Sequence, residues 1–178
     1  MIRLLDRLAL VAGLMVMLTI NNSVMAAQAD IGKVTQQVGN TIIERSTGDK
    51  LDSETGSSIV SYDTVRTGQG KTAIEFVDET RVDVTQNSKL VIDEFVYDPN
   101  TSKGKLSLKA SFGTIRYASG QIAKNSRQDI KITTPTATIG VRGTDFTITV
   151  DETGSSTISI SSNCCRRTRK RSFKTYYT

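Results

Sequence analysis

Thr133-Thr134-Pro135-Thr136-Ala137-Thr138-Ile139-Gly140-Val141-Arg142-Gly143-Thr144-Asp145-Phe146-Thr147-Ile148-Thr149-Val150 carries the clearest structural pattern in the chain. Pro135 disfavours helix for the residue before it and has no amide donor, so it is expected at the start of a strand rather than inside one. Beyond it Ala137, Ile139 and Val141 alternate with Thr136, Thr138 and Gly140. After Arg142-Gly143 the alternation resumes, with Phe146, Ile148 and Val150 against Asp145, Thr147 and Thr149. Period two is the signature of strands with one buried face, so two strands should flank a tight Arg-Gly corner. Gly143 is expected to hold a positive φ there. Arg142 is expected to turn its donors back onto carbonyls or onto a carboxylate such as Asp145, with a solvent-facing contact to an acidic partner as the other role open to it.

The same alternation recurs upstream. Runs at Ile59 to Thr67, Lys71 to Val77, Arg81 to Val84, Lys89 to Tyr97, Lys105 to Ala110 and Thr114 to Ala118 are each bounded by turn formers. Gly68-Gln69-Gly70 has the composition of a hairpin turn. In Lys89 to Tyr97 the alternation slips by one at Asp93-Glu94, as a β-bulge would make it do. Residues 119–128 are a polar excursion, Asp129 to Thr133 a strand, and Ser156 to Ile160 the last strand. No segment of ten or more residues after the first 29 has a helical period. The expectation is an all-β fold, a single domain of short and mostly antiparallel strands over residues 49–162, as a sandwich or solenoid-like module. Residues 30–48 read as a polar lead-in with one weak strand around Thr41-Ile42-Ile43, and residues 49–58 as a loop.

Two segments, "TPTATIGVRGTDF" (134–146) and "KLSLKASFGTIRYASG" (105–120), resemble FecR domains, the all-β modules found outside the bacterial inner membrane in iron-uptake regulators and many secreted proteins. The resemblance places Pro135, Gly140, Arg142, Gly143, Thr144 and Phe146 in the family signature as structural residues. It implies a non-catalytic binding module in the cell envelope whose partner is a protein or an envelope component. FecR-like sequences usually place Asp-Gly where this chain has Asp78-Glu79. Family regulators carry a cytoplasmic anti-sigma domain and a transmembrane helix ahead of the module; with neither seen in this chain, the transmembrane-signalling role is not expected to carry over.

The chain has 178 residues and a net charge of +5. That charge does not describe the expected domain: between Asp30 and Asn163 there are 15 basic and 17 acidic side chains. The basicity sits at the ends. Arg3 and Arg7 precede an apolar run from Leu8 to Ile20, and Ala27-Gln28-Ala29 supplies small residues, the order of a secretory signal peptide cleaved after Ala29 or Ala26. The run is shorter than the ~20 residues that cross a bilayer, so contact with the membrane is expected only through this transient leader. At the other end, 163–178 is a basic segment without alternation that contains Cys164 and Cys165. It reads as disordered, and adjacent cysteines are poorly placed to form a staple with each other. Nucleic acid is not an expected partner.

Catalytic chemistry is thinly represented. With no histidine, a Ser-His-Asp or Cys-His site is excluded and no zinc-like ligand set remains; no cofactor is expected. Asp98 to Lys109 has the alternate oxygen-bearing residues of a calcium loop, but Lys103 and Lys109 stand where an EF-hand needs glycine and glutamate. Gly140 to Gly143 lacks the lysine and helix of a phosphate loop. Asp78/Glu79, Asp93/Glu94 and Asp151/Glu152 are consecutive in strands or turns, so the side chains of each pair diverge. Tyr62, Tyr97 and Tyr117 would make an aromatic platform for sugars, or half-cover a core. Beside the binding module stand two other classes: a structural or adhesive envelope protein, and a secreted polysaccharide-active enzyme needing two converging carboxylates.

Overall fold

The computed structural model describes residues 29–126 and 129–161. The expected signal peptide, apart from Ala29, and the basic segment 163–178 with Cys164 and Cys165 lie outside the described residues. Within them the chain is all β apart from one short helix.

Long strands form the centre. β1 (Gly32–Glu44) pairs antiparallel with β4 (Thr64–Phe76) over the length of both. On its other edge β4 pairs through Thr72–Glu75 with β5 (Arg81–Val84) and through Thr64–Thr67 with β6 (Ser88–Asp98). Both are antiparallel to β4, so β5 and β6 run in one direction and act as a single strand interrupted at Thr85–Asn87. β7 (Lys103–Ala118) flanks them on the far side, its first half on β6 and its second on β5. The free edge of β7 is shared in the same way. Its second half carries β10 (Asp145–Val150) and then β11 (Ser156–Ser161). Its first half carries β8 (Ile130–Thr133) in parallel, followed by β9 (Thr138–Gly140). β2 (Lys50–Asp52) and β3 (Ser58–Ile59) line the outer edge of β1.

A crease crosses these strands at their midpoints. Gly39, at φ +78°, faces Gly70 across the β1–β4 ladder, which shifts register immediately after it. A Cβ on Gly70 would collide with the carbonyl oxygen of Val38, so the two backbones approach at a distance that only glycine permits. Next in line, Asn87 has φ +49° at the β5–β6 interruption, and Gly113 in β7 has φ +88° with the side chain of Ser88 filling the place of its missing Cβ. The sheet folds along this line. Phe76 from one half and Phe95 from the other stack with centroids 5.3 Å apart. Ile74, Val82, Ile115 and Ile148 from one half and Val65, Leu90, Leu106 and Ile132 from the other join one core. Each fully buried aliphatic side chain there stabilises the fold by about 1.5–3 kcal/mol relative to exposure.

Hydroxyls line the crease. Buried Thr41 and Thr72 share a hydrogen bond of 2.6 Å. The Ser88 amide donates to Thr67 Oγ1 at 3.0 Å and the Thr114 amide to Ser88 Oγ at 3.0 Å. Thr85 Oγ1 donates to the Thr114 carbonyl at 2.9 Å. Where bends interrupt the ladder, Thr67, Thr85 and Ser88 satisfy backbone groups that would otherwise be buried without partners.

The glycine-rich segments differ from expectation because glycine marks a close backbone approach as readily as a turn. Gly68-Gln69-Gly70 is no hairpin but the middle of β4, and β7 runs unbroken through Gly113. The segment 30–48 is not a lead-in but mostly β1, with Ile31, Val34 and Ile43 in the core. A register shift between Val34 and Gln36 hides its alternation. Residues 49–58 include β2 and the start of β3. Pro135 does not start a strand: it sits in the β8–β9 turn, which the Thr134 amide closes by donating to the Ala137 carbonyl at 2.8 Å. The slip at Asp93-Glu94 is a true irregularity, a register shift between Ile92 and Glu94.

Within 119–128 lies α1 (Gln121–Asn125), whose Ile122 and Ala123 close the open end of the core. The β4–β5 hairpin anchors it. Asp78 is buried, its carboxylate accepting from the Thr80 amide at 3.1 Å and the Thr80 hydroxyl at 2.7 Å, while its carbonyl accepts from the Gln121 amide at 2.7 Å. Glu79 takes the left-handed position of that hairpin at φ +65°, with Phe76 N–H bonded to the Thr80 carbonyl. A three-residue hairpin places glycine there by preference; glutamate preserves the geometry at some strain.

Candidate binding surface

The signature segment runs from one half of the folded sheet to the other. β9 belongs to the half built on β6, and β10 to the half built on β5. The turns at their far ends are tied together: Ser156 Oγ donates to buried Thr134 Oγ1 at 2.8 Å, and Thr136 Oγ1 donates to the Gly154 carbonyl at 3.2 Å. Val141 and Phe146 enter the core on either side of the corner. Tyr117 stacks on Phe146 with centroids 5.1 Å apart, and burial pushes its phenol pKa well up.

Between those anchors the chain faces solvent. Gly143 holds φ +72°, as the corner requires. Gly140, by contrast, is exposed and a Cβ there would meet open space, so packing does not demand glycine. Arg142 is exposed, and its guanidinium has no hydrogen-bond or ion-pair partner among the described residues. The fork expected to hold the strands does not form. Asp145, its expected acceptor, takes the Ser119 amide at 3.1 Å, and the Ser119 hydroxyl donates to the Thr144 carbonyl at 3.2 Å, so the corner is held from β7 without the arginine.

A second solvent-facing feature was missed in the sequence. Val60 to Asp63 forms a turn closed by the Asp63 amide on the Val60 carbonyl, with Tyr62 at φ +70° and 55% exposed. Such a conformation is rare for a bulky residue. It persists because Asp63, wholly buried, accepts the Val60 amide at 2.9 Å and Arg45 Nη1 at 2.7 Å, while Arg45 Nη2 reaches the Ser58 carbonyl at 3.1 Å. Burial raises the Asp63 carboxyl above the usual carboxylate range, against the Val60 amide and the Arg45 charge, which both lower it.

The remaining polar candidates are occupied by structure. Asp98 accepts the Asn100 amide and the Thr101 hydroxyl, which hold its pKa below the usual range and make the calcium-like stretch a surface turn. Asp151 does the same for Thr153 and Ser155, and its pKa is likewise lowered, first by the Thr153 hydroxyl. Glu94 pairs with Lys105 at 2.7 Å. Among the described residues no group of three or more carboxylate or cysteine side chains is placed to hold a metal ion. The tyrosines do not form a platform: Tyr117 is buried, Tyr97 lies half-buried against Phe95, and Tyr62 stands in its own turn. A cavity of about 490 Å³ lies between Asp30, Lys33, Ser58, Glu75, Val77 and Glu79. Two of its acids are engaged, Glu75 with Arg81 at 3.1 Å and Glu79 with Gln121 at 2.7 Å.

Fold and surface together define an all-β module whose exposed signature corner is set on a folded sheet. The sequence profile described as "FecR protein" matches residues 63–163, more than half of the chain, and the chain belongs to the FecR family. Curated proteins give no significant match. A solved structure titled "Cell surface anchoring domain" is 31% identical over 34% of this chain and 82% of that one, with a TM-score of 0.33, too low to carry its architecture or role across. No helix among the described residues is long and apolar enough to cross a membrane.

Proposed function

We propose that this protein is a non-catalytic FecR module of the bacterial cell envelope, periplasmic or secreted, which binds an acidic group on a protein or envelope component through the corner at Gly140 to Gly143. The observation that carries this reading is Arg142: an exposed guanidinium, in the family signature, whose donors are unused among the described residues. Its neighbours are accounted for by packing and hydrogen bonding, whereas Arg142 and Gly140 are not. A planar guanidinium set on a fixed corner suits bidentate recognition of a carboxylate or phosphate, and an open Gly140 lets a partner approach the backbone. Family membership and the leader-like first 29 residues support the envelope setting. The carboxylates considered for glycan cleavage are held in turns and ion pairs, which favours binding over hydrolysis.

The test is a photo-reactive residue at Gly140 in the exported protein, with and without Arg142→Glu. The expected result is one discrete adduct in the cell envelope that disappears with Arg142→Glu while the circular dichroism spectrum is unchanged. An adduct indifferent to residue 142 would move the interface elsewhere. Sequencing the N-terminus of the exported protein checks the setting: a start at Ala27 or Asp30 is expected, and an intact Met1 would refute export by cleavage.

A further inference from the structure

Among the described residues, the strands that close the sheet at its ends are two or three residues long, except one. β2 is three residues long and carries Lys50 and Asp52, β3 is two residues long, and β9 is three residues long just after a proline turn. Short or charged edges discourage pairing with other chains. β11 has six residues, Ser-Thr-Ile-Ser-Ile-Ser, with no charge, no proline and no register shift against β10. The Asp151 amide bonds the Ser155 carbonyl, so by antiparallel alternation the backbone groups of Ser156, Ile158 and Ile160 point away from β10 and toward the open margin. Ile160 lies opposite buried Phe146 yet is 59% exposed, because no strand lies beyond it to complete the cover among the described residues.

We propose that β11 is the surface through which two copies of this chain associate, edge to edge and antiparallel, joining their sheets into one. The sequence of the strand selects a second copy. The antiparallel register that sets Ile158 of each copy opposite Ile160 of the other keeps the isoleucines on the core side and faces hydroxyls with hydroxyls, with no charge opposed. Charge further out agrees. Asp151 and Glu152 stand in the turn before β11, and the chain continues beyond Ser161 into Arg166, Arg167, Arg169, Lys170 and Arg171. Within one copy these lie at opposite ends of a strand about 20 Å long. Antiparallel pairing brings the acidic turn of each copy beside the end from which the basic run of the other departs.

The experiment is sedimentation of the exported full chain from micromolar to millimolar concentration, under reducing conditions so that Cys164 and Cys165 form no bridge. A concentration-dependent shift from one mass to twice that mass is expected. Ile160→Lys should raise the dissociation constant more than about tenfold. Val96→Lys, at a residue equally exposed (58%) on a strand paired on its β7 side, should leave it unchanged. Glu152→Lys should weaken association roughly threefold at low salt. A monomer at all concentrations, or a dimer indifferent to Ile160→Lys, overturns the proposal; indifference to Glu152→Lys overturns the antiparallel arrangement. Hydrogen exchange on the unmodified chain gives a readout independent of variants. Protection of the Ile158 and Ile160 amides should grow with concentration, and protection that is independent of concentration would mean that the chain covers its own edge.

Discussion

The crease and the signature corner are both made of glycines and left-handed backbone, yet they answer differently to the same question. At the crease the glycines are explained by what they touch, Gly70 by the Val38 carbonyl and Gly113 by Ser88, and the Thr67 and Ser88 hydroxyls by the backbone amides they satisfy. At the corner only Gly143 is explained, by its φ of +72°. Gly140 has open space and Arg142 has donors unengaged among the described residues. A residue whose identity the fold does not require is one that is free to serve a partner, and this difference is what separates scaffold from binding surface here.

The largest effect that would break this comparison belongs to the crease. Gly70→Val drives a branched side chain into the β1 backbone and should destabilise by about 3 kcal/mol or more; a melting temperature within a degree or two of the unmodified protein would mean that the crease is not tight. Next comes the support of the Tyr62 turn. Arg45→Ala leaves the buried Asp63 carboxylate without its cation and should cost about 2–4 kcal/mol near neutral pH. The sign with pH follows from the raised Asp63 pKa: the folded state binds the proton more tightly than the unfolded chain, so this group's contribution is present below the unfolded value of 3.8 and lost as pH rises through the folded one. Without Arg45 the folded value rises further, so the deficit should shrink as pH is lowered from 7 toward 4. A deficit constant over that range would show that Asp63 is not the source.

At the corner the expected effects are smaller. Gly143→Val should cost more than about 1 kcal/mol because a β-branched residue relaxes poorly at positive φ; denaturant melts that overlay the unmodified protein would remove the strain assigned there. Arg142→Lys should change stability by less than about 0.5 kcal/mol, as expected of an exposed residue away from packing, while weakening a partner that needs the planar fork. A clear loss of stability in that variant would restore the arginine to the scaffold and erase the contrast with the crease.

Strand content was legible wherever one face alternates without interruption, as in Phe146, Ile148 and Val150, or Leu106, Leu108 and Ala110. It was also legible where alternation slips once, at Asp93-Glu94. It failed where two irregularities fall in one strand. β1 shifts register at Val34/Gln36 and again at Gly39/Thr41, so its buried residues never show a clean period. Glycines misled for a related reason: local sequence does not distinguish a chain that turns back from one that passes close to another backbone. The fork expected of Arg142 does not form, and Asp145 instead accepts the Ser119 amide, 26 positions away in sequence. The turn at Tyr62 carries no local signal, since its support comes from Arg45 through the fold.

The crease also bears on how such a domain can be cut. β1, β4 and β7 each contribute one end to either half of the folded sheet, so no single break in the chain separates two self-sufficient pieces. Nicking the 49–58 connection or the α1 region would release no stable fragment, and loss of either half would leave each of these strands with its inner face bare. Stability and folding are thereby shared across the whole span from β1 to β11. The domain should unfold in one cooperative step, and its ladders, many of them distant in sequence, should make it a slow folder for its size.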